Sequence, residues 1–247
     1  MLERFKLMLK LQEKEGKKRD VVRHLALTMH GMELWSRKKK KPVKEAYKKS
    51  FDILKEAIKL QIKKNIPILT IYVLPEQLKK EEELPVFLDE LISFLDSIRK
   101  SSVVHENKIK ISALGKWYNI SGRAVDVIKN ALEDTKDYDK FFVNLCINYN
   151  GNEEIADACR IIGRQVKAGK LDIDAINKDI IKENIYSSYF LPPDLVIKNG
   201  KIIQTTGFLL WDTPYSIIYF TKKYFPEFSK SDFSKAIEFY SENRQKQ

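Results

Sequence analysis

Cysteine is scarce in this chain, with two residues in 247. Two cannot build a disulfide-stapled scaffold. Cys146 and Cys159 have no further cysteine or histidine at metal-ligand spacing. They read as small core residues of a protein in a reducing cytoplasm. Nine glycines and eight prolines exclude a collagen-like or Pro/Gly-rich chain. Long apolar runs are missing too. Ile66 to Leu74 and Phe208 to Trp211 are strand-sized, well short of the roughly 18–20 residues of a membrane span. The N-terminus carries Glu3, Arg4, Lys6 and Lys10 with no uninterrupted apolar stretch behind them. That is not the pattern of a secretory signal.

What is present is enough apolar material for a sizeable core, since hydrophobic residues make up 43 % of the chain. Basic residues outnumber acidic ones, 45 to 34, for a net charge of +11. They cluster at Lys14 to Arg19 and at Arg37-Lys38-Lys39-Lys40-Lys41. Such an excess attracts polyanions: nucleic acid, an anionic membrane surface or a diphosphate. It equally suits a solvated, lysine-rich surface. No zinc-finger spacing or aromatic RNP-type strand accompanies it, so no nucleic-acid partner is expected.

Apolar spacing predicts alternating helices and strands. Residues 2–19 read as a charged amphipathic helix, within an N-terminal extension over 1–22. His24 to Met29 reads as a strand running into a loop at Gly31. Helices are expected over 43–64, 84–100, 121–136, 152–167, 174–184 and 231–243, the last with Ser231 as N-cap. Strands are expected at Pro67–Leu74, Lys108–Leu114, Phe141–Tyr149, Asp194–Lys198, Phe208–Trp211 and Ser216–Phe220. This alternation predicts a single α/β domain over 23–247. Its central sheet should be mostly parallel and flanked by helices on both faces. Ligands should then sit beyond the carboxyl ends of the strands.

Several ordered motifs resemble one family. They are His24-Leu-Ala-Leu-Thr-Met29-His30-Gly31-Met32-Glu33-Leu34-Trp35, Leu69-Thr70-Ile-Tyr72 and Asn148-Tyr149-Asn150-Gly151. Val166-Lys167-Ala-Gly169-Lys-Leu171 follows, then the long stretch from Pro193-Asp194-Leu195 to Phe208-Leu209-Leu210-Trp211, and Tyr219-Phe220-Thr221. The chain resembles the cis-prenyltransferases, typified by undecaprenyl diphosphate synthase, from about His24 to Tyr240. The resemblance implies condensation of an allylic diphosphate with isopentenyl diphosphate on Mg²⁺. It also implies dimerisation near the last strands.

The resemblance further implies functional residues that this chain lacks. An aspartate that organises Mg²⁺ is expected where His30 stands. Asparagine and arginine are expected at Met32 and Leu34, and a Glu-Asn-Trp loop at Glu76-Gln77-Leu78. Arginine is expected at Asn152, and a C-terminal glutamate at Ile217. The groups gripping isopentenyl diphosphate become Lys198, Gln204 and Thr206. A neutral imidazole is a poor ligand for Mg²⁺, and lysine is a point charge rather than a fork. The expectation is a non-catalytic or weakly active subunit that partners a catalytic homologue, or forms a homodimer. Mg²⁺ would enter only through the partner, and no metal ligand is assigned here. Two other readings stay open: an active enzyme in which His30, Glu33 or Asp194 takes over the lost duties, and a prenyl-lipid or nucleic-acid binding module.

No confident catalytic residue is assigned; His30 holds the expected aspartate position. Candidate groups for an isoprenyl diphosphate are Gly31, Trp35, Asn148, Asp194, Lys198 and Thr206. Glu33 and Lys38 to Lys41 stand nearby in sequence. Phe87, Leu88, Leu91 and Leu95 are candidates for the wall of a prenyl-chain tunnel, or for a filled core. Trp211, Tyr219 and Phe220 are candidate dimer contacts. The expected location is cytoplasmic, with peripheral contact to anionic membrane.

Overall fold

The computed structural model describes residues 21–75, 82–201 and 203–244. The first strand, β1 (His24–Thr28), is buried at all five positions. Gly31 then turns the chain into α1 (Met32–Lys39), and α2 (Val43–Lys63) follows. After β2 (Ile68–Pro75) come α3 (Leu84–Arg99), the short α4 (Ser102–Glu106), β3 (Ile109–Leu114) and α5 (Gly122–Asp134). The second half holds β4 (Phe141–Tyr149), α6 (Gly151–Lys167), α7 (Lys178–Asn184), β5 (Leu195–Asn199), β6 (Ile217–Thr221) and α8 (Lys230–Arg244).

The six strands form one sheet in the order β3-β4-β2-β1-β5-β6, and every neighbouring pair is parallel. Strands covered on both faces read as near-continuous apolar runs rather than alternations. β4 obeys this rule, with Phe142 to Tyr149 all buried. Successive side chains point to opposite faces. Leu25 and Leu27 therefore join the large core beneath α1, α2, α3, α5 and α8, while Ala26 joins a smaller one with Tyr72, Tyr149, Phe190 and Phe208. Among the described residues, no helix is long and apolar enough to cross a membrane.

The α/β architecture is as expected, and several details differ. Phe208–Trp211 is not a strand but part of a run of turns. Its backbone enters the left-handed region at Gly207 and Leu209. Its apolarity serves packing, since Phe208 lies flat on Tyr72 at 4.9 Å between ring centroids. The last helix begins before Ser231. The hydroxyl and backbone N–H of Ser229 both donate to the Asp232 carboxylate, which closes the helix start. The 174–184 segment divides into a short 3₁₀ turn, Ile173–Ala175, and α7, whose start is capped by the Asn177 side chain. The expected helix over 2–19 lies outside the described residues.

The 205–210 turns pack tightly on the start of α6. The Gly151 N–H donates to the Gly207 carbonyl at 3.1 Å. A Cβ on Gly151 would sit 2.2 Å from that same oxygen. Gly151→Ala is therefore expected to cost about 1–3 kcal/mol by overpacking, read as a lower urea midpoint at unchanged slope. An unchanged midpoint would contradict this packing.

Candidate active site

The strand order places a topological switch point between β1 and β5. From β1 the chain moves to β2 on one side, and later returns to add β5 and β6 on the other. A crevice forms outside the carboxyl ends of strands at such a point, and ligands of parallel α/β proteins bind there. Here the two ends bring together His30 and Gly31 after β1 with Lys198, Asn199 and Gly200 at the end of β5.

Lys198 is 2 % exposed. Its ammonium donates to the Thr205 carbonyl at 2.9 Å and to Thr206 Oγ1 at 2.7 Å. Burial pushes its pKa down to about 8, because the charged form loses its hydration. Thr206 completes this contact from a left-handed backbone, φ 56°. Such a conformation is costly for a β-branched residue.

His30 is fixed by its backbone. Its N–H donates to Asn199 Oδ1 at 3.0 Å, and its carbonyl accepts from the Phe225 N–H at 3.0 Å. Its ring meets the Tyr72 ring edge-on, 6.2 Å between centroids. Burial first, and the Lys198 charge second, hold its pKa down to about 4. The imidazole is neutral at physiological pH. Asn199 is fully buried, and its Oδ1 also accepts from Thr28 Oγ1 at 3.0 Å.

Gly31 is required where it stands. Its φ is 81°, and a Cβ there would meet the Tyr224 ring at 2.3 Å. It opens α1 with no side-chain cap, which leaves the helix's first N–H groups unmet by protein side chains. Glu33, in that first turn, accepts from the Tyr47 hydroxyl at 2.9 Å. Trp35 is buried one turn along α1, and Lys49 lies over its ring at 5.1 Å. Asn148, at the end of β4 with φ 49°, donates from Nδ2 to the Lys116 carbonyl at 2.8 Å. Four buried polar atoms of this region have no hydrogen-bond partner: His30 Nδ1, Trp35 Nε1, Asn148 Oδ1 and Asn199 Nδ2.

These donors do not suit a magnesium ion. Mg²⁺ takes hard oxygen ligands in octahedral array. Among the described residues no three His, Cys, Asp or Glu side chains gather to hold a metal. The nearest candidates are a neutral imidazole and Glu33, which is engaged by Tyr47.

Other expected site residues fall elsewhere. Asp194 stands just before β5, at the amino ends of the strands. Its carboxylate accepts the N–H groups of Arg23 and His24, at 2.7 and 3.0 Å, and pairs with the Arg23 guanidinium. It clamps strands at the end of the sheet opposite the crevice, so it is not a ligand group there. Phe87, Leu88, Leu91 and Leu95 are all buried in the main core. Phe87 packs edge-on against Tyr47, 5.1 Å between centroids. Leu88 alone of the four lines a described cavity, about 430 Å³, with Leu84, Ile92 and Ile120. Phe220 is partly exposed on β6, the outermost strand, while Trp211 and Tyr219 are half-buried. Tyr219 leans on Phe239 at 5.3 Å. Glu76, Gln77 and Leu78 lie outside the described residues.

A polar network with no sequence signature supports the site from behind. The Tyr149 hydroxyl donates to Glu154, which also accepts from the Ser187 N–H. The Ser187 hydroxyl donates to Asp212, whose other oxygen takes Lys182 Nζ at 2.7 Å. The network ties β4, α6, α7 and the 205–213 turns together. Its members are up to 63 residues apart, so neither spacing nor periodicity announces it.

The fold and crevice define a parallel α/β protein with its ligand region at a strand switch point. A family model described as "Putative undecaprenyl diphosphate synthase" matches residues 28–247. The chain belongs to that family, the cis-prenyltransferases. It is 32 % identical over 235 residues to a tritrans,polycis-undecaprenyl-diphosphate synthase (geranylgeranyl-diphosphate specific) of Thermoplasma volcanium, covering 94 % of this chain and 91 % of that one. An isoprenyl transferase of Prochlorococcus marinus is 30 % identical over 241 residues, covering 96 % and 87 %. A lavandulyl diphosphate synthase from Lavandula x intermedia, solved with dimethylallyl diphosphate, superposes with TM-score 0.87 at 25 % identity. That match covers 91 % of this chain and 97 % of that one.

The two buried histidines make stability depend on pH. Burial holds both His24 and His30 at about 4, against 6.5 for an unperturbed imidazole. Between those values the unfolded chain binds more protons than the folded one. Stability is therefore fully present above about pH 6.5 and is lost as pH falls through the window. The urea midpoint should be lower at pH 5 than at pH 7, and His30→Asn should shrink the difference. A difference unaltered by His30→Asn would contradict the buried, neutral state of His30.

Proposed function

We propose that this chain is the non-catalytic, or weakly active, subunit of a heteromeric cis-prenyltransferase. Its partner would be a separate catalytic homologue making polyprenyl diphosphate for a glycosyl-carrier lipid. One observation carries the reading: the crevice holds a neutral His30 and an inward-tied Lys198 where metal-diphosphate chemistry calls for carboxylate and arginine forks. Binding a diphosphate needs forked cations, backbone N–H groups or a metal. Resemblance to the family places an aspartate at position 30, and His30 cannot take over its magnesium. Mg²⁺, on this reading, belongs to the partner.

The framework around the crevice is intact, and that is what a supporting subunit needs. Such a subunit contributes interface and rigid positioning rather than chemistry. The outer face of β6, with Phe220, and the neighbouring Trp211 and Tyr219 are the proposed contact surface. The exposed Arg37 to Lys41 run at the end of α1 suits work beside anionic lipid. A second reading, an active enzyme with a rebuilt site, draws on relatives that carry synthase names at about 30 % identity.

Co-expression with the catalytic homologue of the same genome tests the proposal. The two chains should copurify, and the homologue should be more active in the complex than alone. Phe220→Glu should reduce recovered partner at least about tenfold, equivalent to 1.4 kcal/mol of association. Failure to copurify, with a homologue fully active alone, would sink the proposal.

A further inference from the structure

We propose that the corner between α1 and α2 docks this protein on the surface of an anionic phospholipid bilayer, with the crevice on the bilayer side. The inference deepens the subunit reading and rests on it for the lipid that the assembly would make. Three observations carry it: where the charge sits, how little the fold needs it there, and what stands beside it.

Residues 37–49 carry eight basic side chains and one acidic one, a net +7. The remaining 234 residues share the other +4 of the chain's +11. The excess is therefore local rather than spread over the whole surface. All eight cations, Arg37 to Lys41 with Lys44, Lys48 and Lys49, are exposed. Few are neutralised. Lys41 pairs with Glu45, while Lys39 and Lys44 reach Glu227 and Glu90 only at 3.8 Å. Lys38 and Lys49 lie over the Tyr224 and Trp35 rings, contacts that leave the charge in place. Arg37, Lys40 and Lys48 have no side-chain partner among the described residues.

Folding accounts for only part of this arrangement. Arg37, Lys38 and Lys39 complement the dipole at the carboxyl end of α1. Lys44, by contrast, stands in the first turn of α2, where the dipole favours an acid. Lys44 and Lys48 stand one turn apart on that helix, a spacing at which like charges repel. Lys40 closes α1 from a left-handed backbone, φ 53°, which glycine or asparagine adopts more readily. A corner that gathers cations at some cost in stability suits a polyanionic surface.

The corner stands on the crevice side of the molecule. α1 starts from Gly31 at the crevice and spans about 12 Å. α2 then runs 21 residues back toward the start of β2, so its first turns stand toward the carboxyl ends of the strands. Leu34, 46 % exposed, sits on α1 one turn before Lys38. An aliphatic side chain beside lysines, whose stems are themselves apolar, suits the boundary between headgroups and acyl chains. It offers a nucleic acid nothing to stack on. Both aromatic residues of the corner, Trp35 and Tyr47, are buried. A bilayer seated on the corner would lie within the length of α1 of the crevice.

Vesicle flotation of the purified full chain tests the inference. Phosphatidylcholine vesicles with about 30 % phosphatidylserine should bind it at least about tenfold more tightly than phosphatidylcholine alone. Binding should fall away between about 0.1 and about 0.5 M salt. The triple variant R37Q/K40Q/K48Q breaks no ion pair and should bind about a hundredfold more weakly, at roughly a factor of five for each surface cation. K129Q/K140Q/K170Q removes the same charge from exposed positions elsewhere and should bind like wild type. Thermal unfolding of each variant checks that it is folded. Equal binding to both vesicle types, equal loss in both variants, or capture of short duplex DNA in place of anionic vesicles overturns the inference, as does no vesicle binding at all. The subunit reading fails separately. Copurification with the catalytic homologue without vesicle binding leaves that reading standing, and vesicle binding without copurification removes it alone.

Discussion

Parallel pairing is the constraint on which this structure depends. Because all six strands run the same way, every carboxyl end and the loop after it lie along one edge of the sheet. β1 occupies the centre, paired with β2 on one side and β5 on the other. The opposite edge is fastened by charge and hydrogen bonds. Asp194 accepts the N–H groups of Arg23 and His24, which fixes β1 beside β5. The His24 imidazole bridges the Leu191 carbonyl and the Thr70 hydroxyl, and Asn144 donates to that hydroxyl from β4. Of the six unmet buried polar atoms among the described residues, those of His30, Trp35, Asn148 and Asn199 lie toward the carboxyl ends, and those of Gln61 and Asn144 toward the amino ends.

Burying an ammonium is costly unless its protons are satisfied. Lys198 meets this demand by folding the 205–206 turn onto itself, and so this buried crevice cation has a structural task. The neighbouring His30 is then held neutral by burial and by that same charge. The result is a pocket edge with hydrogen-bonding groups but little net charge. The fold of a polyanion-handling family persists around it. The tight contacts of Gly31 with Tyr224, and of Gly151 with Gly207, show that its loops are closely packed rather than decayed.

Most of the fold was legible in the sequence because its central strands are buried on both faces and most of its helices carry clear apolar stripes. β4 and α3 are examples, both marked by apolar positions with the right period. α1 was not legible as a helix. It is lysine-rich and buries only Met32, Trp35 and Ser36, so its stripe is one turn long. Phe208–Trp211 was misread because four successive apolar residues look like a strand, while the left-handed turns around them leave no compositional mark beyond Gly207. The site was legible in part. His30, Gly31, Lys198 and Thr206 were placed by motif, and the structure brings them together. Asp194 matched its motif equally well but sits at the other end of the sheet, since a motif fixes sequence order and not which end of a strand a residue occupies. The Tyr149–Glu154–Ser187–Asp212–Lys182 network could not be read at all, because long-range polar pairing has no period.

On the proposed subunit reading, this chain does not carry out chain elongation by itself. The most direct test is product formation by the purified chain alone, supplied with geranylgeranyl diphosphate, labelled isopentenyl diphosphate and Mg²⁺. No incorporation above background is expected in wild type, and none that depends on His30. Robust, Mg²⁺-dependent incorporation abolished by His30→Asn would contradict it, and would make the neutral imidazole part of a rebuilt catalytic site.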